Sequence, residues 1–577
     1  MDVNKNLTIR FSDLNYYGTD GLLKNKQKQI LKNINGRFQG GELTAIVGPS
    51  GSGKTSLLNA IARYRRKGIS GNIKVNGDDI KLYKNQIAYV MQESHMYGLL
   101  TVLESMKYAV KLKIGIPLSP AIISKISKIL KMFSLEGHEK TFVKHLSGGQ
   151  CKRLSIALEI INDPKIIFLD ECTSGLDSAS SYQCIKLLRQ LVYKGHTIIC
   201  TIHQPSTLML EMFDHIYAVA NGQCIYQGSL KNLLKFLKEI DFQCPQTYNP
   251  IDYLMEIAND IYGERNCDLI NQIENGRNEN FCHSLKYEER SETDEFEAYP
   301  IPTFNSQLLY LMQRNVSIIL RDFTYTYFRL FAHLFLGVLV GFTFWQIGND
   351  ASSVFKDFRL LIGVMILLVY TSLYSQITLF PTHNKVIKRE CFNNWYSPRI
   401  FNIALFITDC PITIVCVLLF LIPMYIMTNQ PPELFRFGSC FLILLLLSYN
   451  SQNIGLLAGS VKSVLLALII APFLMIHQIA LSGTFILQKD AHPLIGSLFK
   501  TTFLNYATEG MKITIFGFNR TQLDCDDIYC HYAKPEKLLQ FLQLNSTYEE
   551  VIIVMTLYMI ILRIIIMMIV NFQLKAK

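Results

Sequence analysis

Eight consecutive residues, Gly48-Pro49-Ser50-Gly51-Ser52-Gly53-Lys54-Thr55, have the composition of a phosphate-binding loop. Glycines let successive backbone N–H groups turn toward phosphate oxygens, and the helix start that follows adds its positive end to the same site. Lys54 is placed to reach the β- and γ-phosphates of a nucleotide, and the Thr55 hydroxyl, followed by Ser56, is placed to ligate Mg²⁺. A chance glycine-rich turn is the alternative, and it does not account for the full eight-residue pattern.

Four further residues have the chemistry that nucleotide hydrolysis needs. Asp170 and Glu171 end an apolar run, so Asp170 is expected to hold Mg²⁺ and Glu171 to polarise the attacking water. Gln92 ends another apolar run, where its amide suits Mg²⁺ or that water. His203 follows a third run and suits a hydrogen bond to the γ-phosphate, although a lone histidine is more often a packed one.

Buried strands and a second glycine-rich helix start are the elements that must position these residues. The predicted strands share an apolar composition and lie at 43–47, 86–91, 165–169 and 197–201. The second helix start is Leu146-Ser147-Gly148-Gly149-Gln150, which precedes an amphipathic helix and suits an anion. The sequence therefore predicts an α/β P-loop ATPase domain.

In this order, the motifs resemble the nucleotide-binding domain of an ATP-binding cassette (ABC) protein over about residues 7–242, with Ser174-Gly175-Leu176-Asp177 as a further match. The resemblance implies that ATP bound to the phosphate loop of one domain is closed over by the signature motif of a second domain, and in this sequence that motif is Leu146–Gln150. Ser147, Gly148, Gly149, Gln150 and Asp177 would then bind ATP across that interface. Only one such domain is present, so a partner chain is expected.

Two residues depart from the family pattern, and the residue that stacks on adenine stays open. Cys151 stands where a basic residue is common, and Cys172 stands where proline is usual. Neither position supplies a catalytic group, so we expect altered packing or affinity and intact hydrolysis, with ATP and Mg²⁺ as cofactors. Tyr16 and Tyr17 are candidates for stacking on adenine, with plain packing the more common role of such rings.

Composition indicates a membrane protein with several domains. Half of the 577 residues are hydrophobic, and the net charge of +10 is dispersed, which favours an anionic membrane leaflet over nucleic acid as the partner. We expect a nucleotide-binding domain over 1–262, an acidic flexible linker over 263–302 and an amphipathic connecting helix over 303–325. A transmembrane domain over 326–577 follows.

Six apolar stretches predict that this last domain is an all-α six-helix transmembrane domain. Each stretch has roughly the 20 residues that cross a bilayer as a helix, and they lie at 327–345, 360–380, 400–427, 437–461, 464–487 and 551–572. Basic residues between stretches two and three, including Lys385 and Lys388, place the nucleotide domain and both termini in the cytosol. Charged Asp409 and Arg563 lie inside apolar stretches, which suggests function, snorkelling or a helix-pair contact.

Residues 488–550 are then a large extracellular loop. Cys525 and Cys530 lie close together on this oxidising side, and a disulfide is the simple interpretation. Asn519 and Asn545 begin glycosylation sequons on the same side. Cysteines and sequons that fall on one side support the topology.

The domain order, nucleotide-binding domain first, resembles the G subfamily of ABC half-transporters, closest to its White-like and sterol-exporter branch. Arg389-Glu390 before Asn394-Trp395 and the pair Ser482-Gly483 are further matches. The resemblance implies ATP-driven export of a hydrophobic small molecule, lipid or sterol-like, by a homo- or heterodimer, with the plasma membrane the expected location. The candidate cavity residues are Phe473, Ile479, Tyr374 and Phe485.

Three alternatives compete with this export hypothesis. The chain could transport a pigment precursor or another small molecule as an obligate heterodimer. It could instead be a regulatory subunit that binds ATP without transport, which Lys54 and Glu171 disfavour. A soluble ATPase acting on DNA or ribosomes is excluded by the six apolar stretches.

Overall fold

The computed structural model describes residues 7–20, 26–65, 67–203, 205–245, 248–263, 265–282, 302–461, 463–486, 490–525, 529–542 and 546–575. These residues form two compact units. The first comprises the residues up to Tyr310 together with Lys388–Ser397 and the end of the chain from Gln573, and the second comprises Leu311–Ile387 and Pro398–Phe572.

A six-stranded sheet is the centre of the first unit. In spatial order its strands are β10 (Gln223–Gly228), β9 (His215–Ala220), β3 (Leu43–Val47), β8 (Thr197–Thr201), β7 (Ile166–Leu169) and β6 (Ile87–Val90). All neighbours pair in parallel except β9 and β10, which are antiparallel. β3, β7 and β8 are buried at every position, which is why these strands read as continuous apolar runs.

A second sheet and a set of helices complete this unit. The sheet is antiparallel, in the order β2 (Lys26–Phe38), β1 (Ile9–Asp20), β4 (Ile69–Val75) and β5 (Asp78–Asp79). The helices are α1 (Lys54–Ile61), α2 (Val102–Lys113), α3 (Pro120–Met132), α4 (Gly148–Ile160), α5 (Ser178–Val192), α6 (Thr207–Leu210), α7 (Leu230–Glu239), α8 (Pro250–Ala258) and α9 (Asn266–Gln272).

Part of the predicted linker over 263–302 is folded, so that expectation was wrong for its first half. α9 and the residues up to Cys282 pack on the unit through Leu269, Ile273 and Phe281, which are all buried. The sequence of this segment did not predict a folded element, because its three buried apolar side chains are widely spaced among polar residues. The acidic run at 288–297 lies outside the described residues.

Residues 388–397 complete the first unit from a distant part of the sequence. Asn393 pairs with the exposed edge of β6: its Nδ2 donates to the Tyr89 carbonyl and its Oδ1 accepts from the Tyr89 N–H, both at 2.9 Å. The Phe392 ring packs edge-on against Tyr64 and Tyr89, with ring centroids 4.7 and 5.6 Å apart. This segment thus caps a sheet edge and fills an aromatic pocket.

The second unit is helical. Its helices are α10 (Phe304–Arg321), which begins in the first unit, α11 (Arg329–Thr343), α12 (Val354–Phe392), α13 (Pro398–Met427), α14 (Leu434–Gly459), α15 (Val464–Ala480), α16 (Pro493–Phe499), α17 (Phe503–Phe516), α18 (Pro535–Leu542) and α19 (Tyr548–Lys575). A π-helical turn, Phe323–Phe328, leads into α11. The predicted amphipathic helix corresponds to α10.

Among the described residues, five helical segments are long and apolar enough to cross a membrane, at Phe323–Thr343, Ala351–Phe392, Pro398–Met427, Leu434–Gly459 and Tyr548–Leu574. The predicted span at 464–487 is shorter than expected, because α15 ends at Ala480. Gly483, with φ of +71°, turns the chain away there. A full-length helix at 464–487 is therefore corrected to a short one.

Glycine spacing explains the close packing of α11 on α13. Gly337 and Gly341, one turn apart on α11, face α13, and a Cβ on Gly337 would lie 2.4 Å from the Phe420 carbonyl oxygen. A Cβ on Gly341 would lie 2.8 Å from the Met427 sulfur. Because these two glycines have no side chain, the backbones of α11 and α13 can approach each other closely.

Candidate ATP site

The phosphate loop connects β3 to α1, as its sequence predicts. Gly48 must be glycine, because a Cβ there would lie 2.2 Å from the Val219 carbonyl oxygen. Gly53 has φ of +105°, a left-handed conformation that other residues rarely adopt. Between them, Gly51 has φ of +79°, and no atom lies within 4 Å of the position that a Cβ would take.

Lys54 and Ser52 provide the polar lining of this loop. The Lys54 ammonium lies over the loop and donates to the carbonyl oxygens of Gly48 and Pro49, at 2.7 and 2.9 Å. Burial lowers the pKa of Lys54, and the carboxylates of Glu171 and Asp170 act in the opposite direction. The Ser52 hydroxyl is buried and has no hydrogen-bond partner among the described residues, which fits a site for a phosphate oxygen.

Asp170 lies where Mg²⁺ is expected. Its Oδ1 accepts hydrogen bonds from the hydroxyls of Thr55, at 3.1 Å, and Thr201, at 2.9 Å. Burial raises the pKa of Asp170, and these hydrogen bonds oppose the increase. One carboxylate and one hydroxyl side by side, with the Gln92 amide following the neighbouring strand, are oxygen donors of the kind that Mg²⁺ prefers.

Gln92 and Glu171 form a hydrogen-bonded pair. The Gln92 Nε2 donates to Glu171 Oε2 at 2.6 Å. Glu171 has φ of +46°, an uncommon value for a non-glycine residue, and its N–H donates to the Thr201 hydroxyl at 2.7 Å. The backbone of Glu171 is therefore fixed in a conformation that turns its carboxylate toward Gln92.

His203 closes the site from β8. A ring nitrogen, Nε2, lies 2.9 Å from the Ser50 hydroxyl, so the ring contacts the phosphate loop directly. Gln92, Asp170 and His203 each follow a different parallel strand, so all three meet at the carboxyl edge of the sheet. The structure brings together the predicted residues of the phosphate loop and the hydrolytic residues.

The signature residues lie at a separate place in the same unit. Ser147 caps α4: its hydroxyl accepts from the Gln150 N–H at 3.2 Å, and Gln150 Oε1 accepts from the Ser147 N–H at 2.9 Å. Gly149 packs on Ser180, near Asp177, which caps α5 through a 3.1 Å hydrogen bond from the Ser180 N–H. No hydrogen bond among the described residues joins the side chains of Ser147, Gln150 or Asp177 to those of the phosphate loop.

The two cysteine departures are structural in character. The Cys151 thiol contacts the carbonyl oxygens of Val143 and Leu146, at 3.8 and 4.0 Å. Cys172 is fully buried, and its carbonyl accepts from the Cys184 thiol at 3.8 Å. Burial raises the pKa of Cys184 to about 12, so it is a neutral core thiol. None of these hydrogen bonds involves the phosphate loop.

The two tyrosines proposed for stacking have different environments. Tyr16 is buried, and its hydroxyl accepts from Arg65 at 2.7 Å, so it is a packing residue. Tyr17 is 42% exposed and is the one whose ring is free to stack. Sequence reasoning missed two other residues. The Thr201 hydroxyl bonds Asp170 and Glu171, and the Lys152 ammonium donates to the carbonyl oxygens of Gln92 and Asp170. For Thr201, its position at the end of β8 was an available signal.

The candidate cavity residues lie on the surface of the second unit or are half-buried in it. Phe473, Phe485 and Tyr374 are 69%, 74% and 38% exposed, and Ile479 is half-buried. Their rings are therefore available on the surface of this unit. At the end of α15, the hydroxyls of Ser482 and Thr484 are 2.7 Å apart, so Thr484 folds back onto the turn.

The charged groups inside the apolar helices have partners. Asp409 pairs with Arg329 at 3.4 Å and accepts a hydrogen bond from the Tyr325 hydroxyl, and both charged side chains are 5% exposed. Gln376 also donates to the Tyr325 hydroxyl, at 2.9 Å. For Asp409 the structure has a helix-pair contact. Arg563 lies over the Phe406 ring, 5.0 Å from its centroid.

Three family profiles match the chain. The one described as "ABC transporter" matches residues 31–174, and two described as "ABC-2 type transporter" match residues 306–516 and 203–275. The first contains the phosphate loop and Asp170-Glu171, and the second contains α11 to α17. The chain therefore belongs to the ABC transporters, as an integral membrane protein whose ATPase is coupled to transport.

Relatives refine this assignment. The chain is 27% identical to "Broad substrate specificity ATP-binding cassette transporter ABCG2" of Bos taurus, over 82% of the chain and 78% of that protein. It is 28% identical to "Protein scarlet" of Drosophila melanogaster, over 87% and 80%, and 27% identical to "Protein white" of the same species, over 84% and 74%. Within the ABC transporters it is thus a half-transporter of the G subfamily.

Solved structures match part of the chain. One is the crystal structure of an ATP-binding cassette of an ABC transporter in its ADP conformation, 25% identical, which covers 41% of this chain and 98% of that one with a TM-score of 0.36.

Proposed function

We propose that this protein exports a hydrophobic small molecule, lipid or sterol-like, across the plasma membrane with ATP as the energy source. The observation that supports it is the complete hydrolytic set around the phosphate loop. Lys54 contacts the loop, Asp170 contacts Thr55, and Glu171 is paired with Gln92. A binding-only subunit would have no need for this arrangement.

The chain's own residues perform the following roles in the proposed reaction. The loop N–H groups and Lys54 bind the β- and γ-phosphates, and Thr55, Asp170 and Gln92 would hold Mg²⁺, which neutralises charge that develops on the phosphates. Glu171 orients and polarises the attacking water, and Gln92 fixes the carboxylate of Glu171. His203, next to Ser50, is placed to donate to the γ-phosphate.

The working unit is proposed to be a dimer. Within the described part of the chain, the signature residues Ser147–Gln150 and Asp177 share no side-chain hydrogen bond with the phosphate loop. The starts of α4 and α5 carry the positive ends of the helix dipoles and suit an anion, so they fit ATP that is bound by a second half-transporter. The partner is either another copy of this chain or a different half-transporter.

The proposed substrate class follows from the surface of the second unit. Phe473, Phe485 and Tyr374 expose aromatic rings, and α15 also exposes Leu465 and Ile469. An apolar surface of this kind suits a lipid or sterol through burial of apolar area. Contact with bilayer lipid and packing between helices also require apolar side chains. The exposed rings therefore support a class of substrate and do not identify one compound.

The proposed topology places the nucleotide-binding unit and both termini in the cytosol. The structure joins Cys525 and Cys530 in a disulfide, and Asn519 is exposed close to them in sequence. A disulfide persists in an oxidising compartment, and N-glycosylation modifies exposed sequons on the same side of the membrane, which supports an extracellular position for this loop. The second sequon residue, Asn545, lies outside the described residues.

ATP hydrolysis by the purified full chain in lipid vesicles tests the proposal. Expressed alone, the protein should hydrolyse ATP with Mg²⁺, and Glu171→Gln should abolish turnover while ATP binding persists. Sterols and phospholipids added to the vesicles should then stimulate the rate. Absence of turnover in folded, ATP-binding protein would contradict a homodimer and favour an obligate heterodimer or a regulatory subunit. Turnover that no lipid or sterol changes would contradict the proposed substrate class.

A further inference from the structure

Lys152 connects α4, the helix that begins at the signature motif, to the ends of strands β6 and β7. Lys152 lies in the second turn of α4, with 3% of its surface exposed. Its ammonium donates to the carbonyl oxygens of Met91, Gln92 and Asp170, at 2.9, 3.2 and 3.2 Å. These three carbonyls follow the ends of β6 and β7, where the hydrolytic residues begin.

All three N–H donors of the Lys152 ammonium have a carbonyl acceptor. A lysine has three N–H donors and no acceptor, and three carbonyl acceptors match it in number. Burial lowers the pKa of Lys152, and acidic neighbours that include Asp170 and Glu171 oppose that effect. A charged hydrogen bond to a carbonyl is stronger than a neutral one, so the strand ends are held more firmly than by backbone pairing alone.

The peptide unit between Asp170 and Glu171 is fixed from both sides. Its carbonyl accepts from Lys152, and its N–H donates to the Thr201 hydroxyl at 2.7 Å. This peptide leads directly into the left-handed backbone of Glu171, with φ of +46°, a conformation that needs support from its surroundings. Rotation of the peptide would move the Glu171 carboxylate away from the attacking water.

Lys152 also fixes the backbone at Gln92, the hydrogen-bond partner of Glu171. The carbonyls of Met91 and Gln92 both accept from Lys152, so the residue that carries the amide and the residue before it share one donor. Gln92 and Glu171 are themselves joined by a 2.6 Å hydrogen bond. One ammonium therefore sets the backbone of both members of the hydrolytic pair.

We infer that Lys152 is a positioning residue for ATP hydrolysis, which connects the signature helix to the Gln92–Glu171 pair within one chain. Ser147 begins the helix that carries Lys152, so a shift of that helix on nucleotide closure acts directly on the strand ends. Lys152 does not contact the phosphate loop in any of its hydrogen bonds. Its effect belongs to the chemical step and not to nucleotide binding.

The test compares Lys152→Met with Lys152→Gln in the full-length protein in lipid vesicles. Methionine keeps the length of the side chain and removes all three donors, and we expect kcat for ATP to fall by about tenfold or more. Nucleotide affinity, measured with a fluorescent ATP analogue, should change less than about twofold, because the phosphate loop is untouched. Glutamine retains two N–H donors and should lose only roughly three- to tenfold in kcat.

Arg153→Met is the matched control, because Arg153 is the next residue on α4 and contacts Gln183 on the surface at 2.8 Å. Its kcat should equal that of the unchanged protein. A double variant, Lys152→Met with Gln92→Ala, should lose no more in kcat than the worse single variant, since both act on one pair. A residue that supported only the fold would give additive losses and a parallel fall in nucleotide binding.

The inference is overturned if Lys152→Met retains the kcat of Arg153→Met, or if its kcat and nucleotide affinity fall together. Thermal unfolding of each variant identifies loss of folded protein. If the methionine variant does not fold, Lys152→Gln decides: a lowered kcat with retained nucleotide binding supports the positioning role, and an unchanged kcat overturns it.

Discussion

Replacement of Lys113 by methionine tests the buried ion pair between α2 and α4. The Lys113 ammonium lies 2.6 Å from Glu159 Oε2, and their side chains are 3% and 1% exposed. It also donates to the carbonyl oxygens of Leu158 and Glu159 and to Asn162, each at 3.2 Å. Lys113→Met therefore leaves the buried Glu159 carboxylate without its main partner, and three further acceptors lose the Lys113 donor.

The expected loss is about 3 kcal/mol. Removing one member of a buried ion pair destabilises a protein by roughly 3–5 kcal/mol, because the other charge stays buried and uncompensated. Glu159 keeps two weaker partners, the Trp395 indole N–H at 3.3 Å and Arg389 at 4.0 Å, so the lower end of the range applies. For a unit of about 300 residues, an unfolding entropy of about 2.1 cal/mol/K per residue converts about 3 kcal/mol into a fall in Tm of roughly 5 °C.

Trp395 supplies the assay. The chain has two tryptophans, and Trp395 is buried with Lys113 5.2 Å from its ring centroid. In a Trp345→Phe background, tryptophan fluorescence on heating reports the unfolding of the nucleotide-binding unit alone. Lys128→Met, which changes an exposed lysine on α3, is the control and should shift Tm by less than about 2 °C.

A double variant decides whether the pair itself is responsible. Lys113→Met combined with Glu159→Leu removes both charges, and apolar replacement of a whole buried pair is often neutral. We therefore expect the double variant to be more stable than Lys113→Met alone. A Tm for Lys113→Met equal to that of Lys128→Met, or simple additivity in the double variant, would refute the reasoning.

Three further predictions concern other parts of the chain. Burial and the charge of Asp214 raise the pKa of Glu42 to about 7, so the folded state loses stability as pH rises from about 4.5 to 7. Glu42→Gln should therefore raise stability at pH 8 by up to about 3 kcal/mol and leave it unchanged at pH 4.5. Measurement of Tm against pH checks this. Cys525→Ser with Cys530→Ser should lower stability by about 2 kcal/mol, the effect of opening a short loop, and reducing agent should then have no further effect on Tm. Asn519→Gln should remove one glycan, seen as a smaller mobility shift on glycosidase treatment than in the unchanged protein; equal shifts would place Asn519 on the unglycosylated side.

The ATP site was largely predictable because its residues are encoded by local spacing. The phosphate loop, Gln92, Asp170 and Glu171 each follow an apolar strand, and parallel strands bring their carboxyl ends together. The cysteine departures, by contrast, needed coordinates, because only packing shows that Cys172 points into the core.

Contacts across long stretches of sequence account for what was not predictable. Asn393 completes the edge of β6 from more than 300 residues away, and no local pattern predicts that pairing. Lys152 is one of many lysines in the sequence, and its role depends on three carbonyls from two other elements. The folded segment after Gly263 is fixed by three apolar side chains within a polar stretch, too few for a periodic signal.

The contribution of residues 388–397 to the first unit has a consequence for how the ATPase can be produced. A fragment that stops near Tyr310 would lose Asn393 from the β6 edge, Phe392 from the Tyr64 pocket and Trp395 from Glu159. It would expose an open strand edge, which invites pairing between copies. Expression of the isolated cassette should therefore give aggregates, and a soluble version should need this ten-residue stretch supplied as a covalently linked segment or as a synthetic peptide.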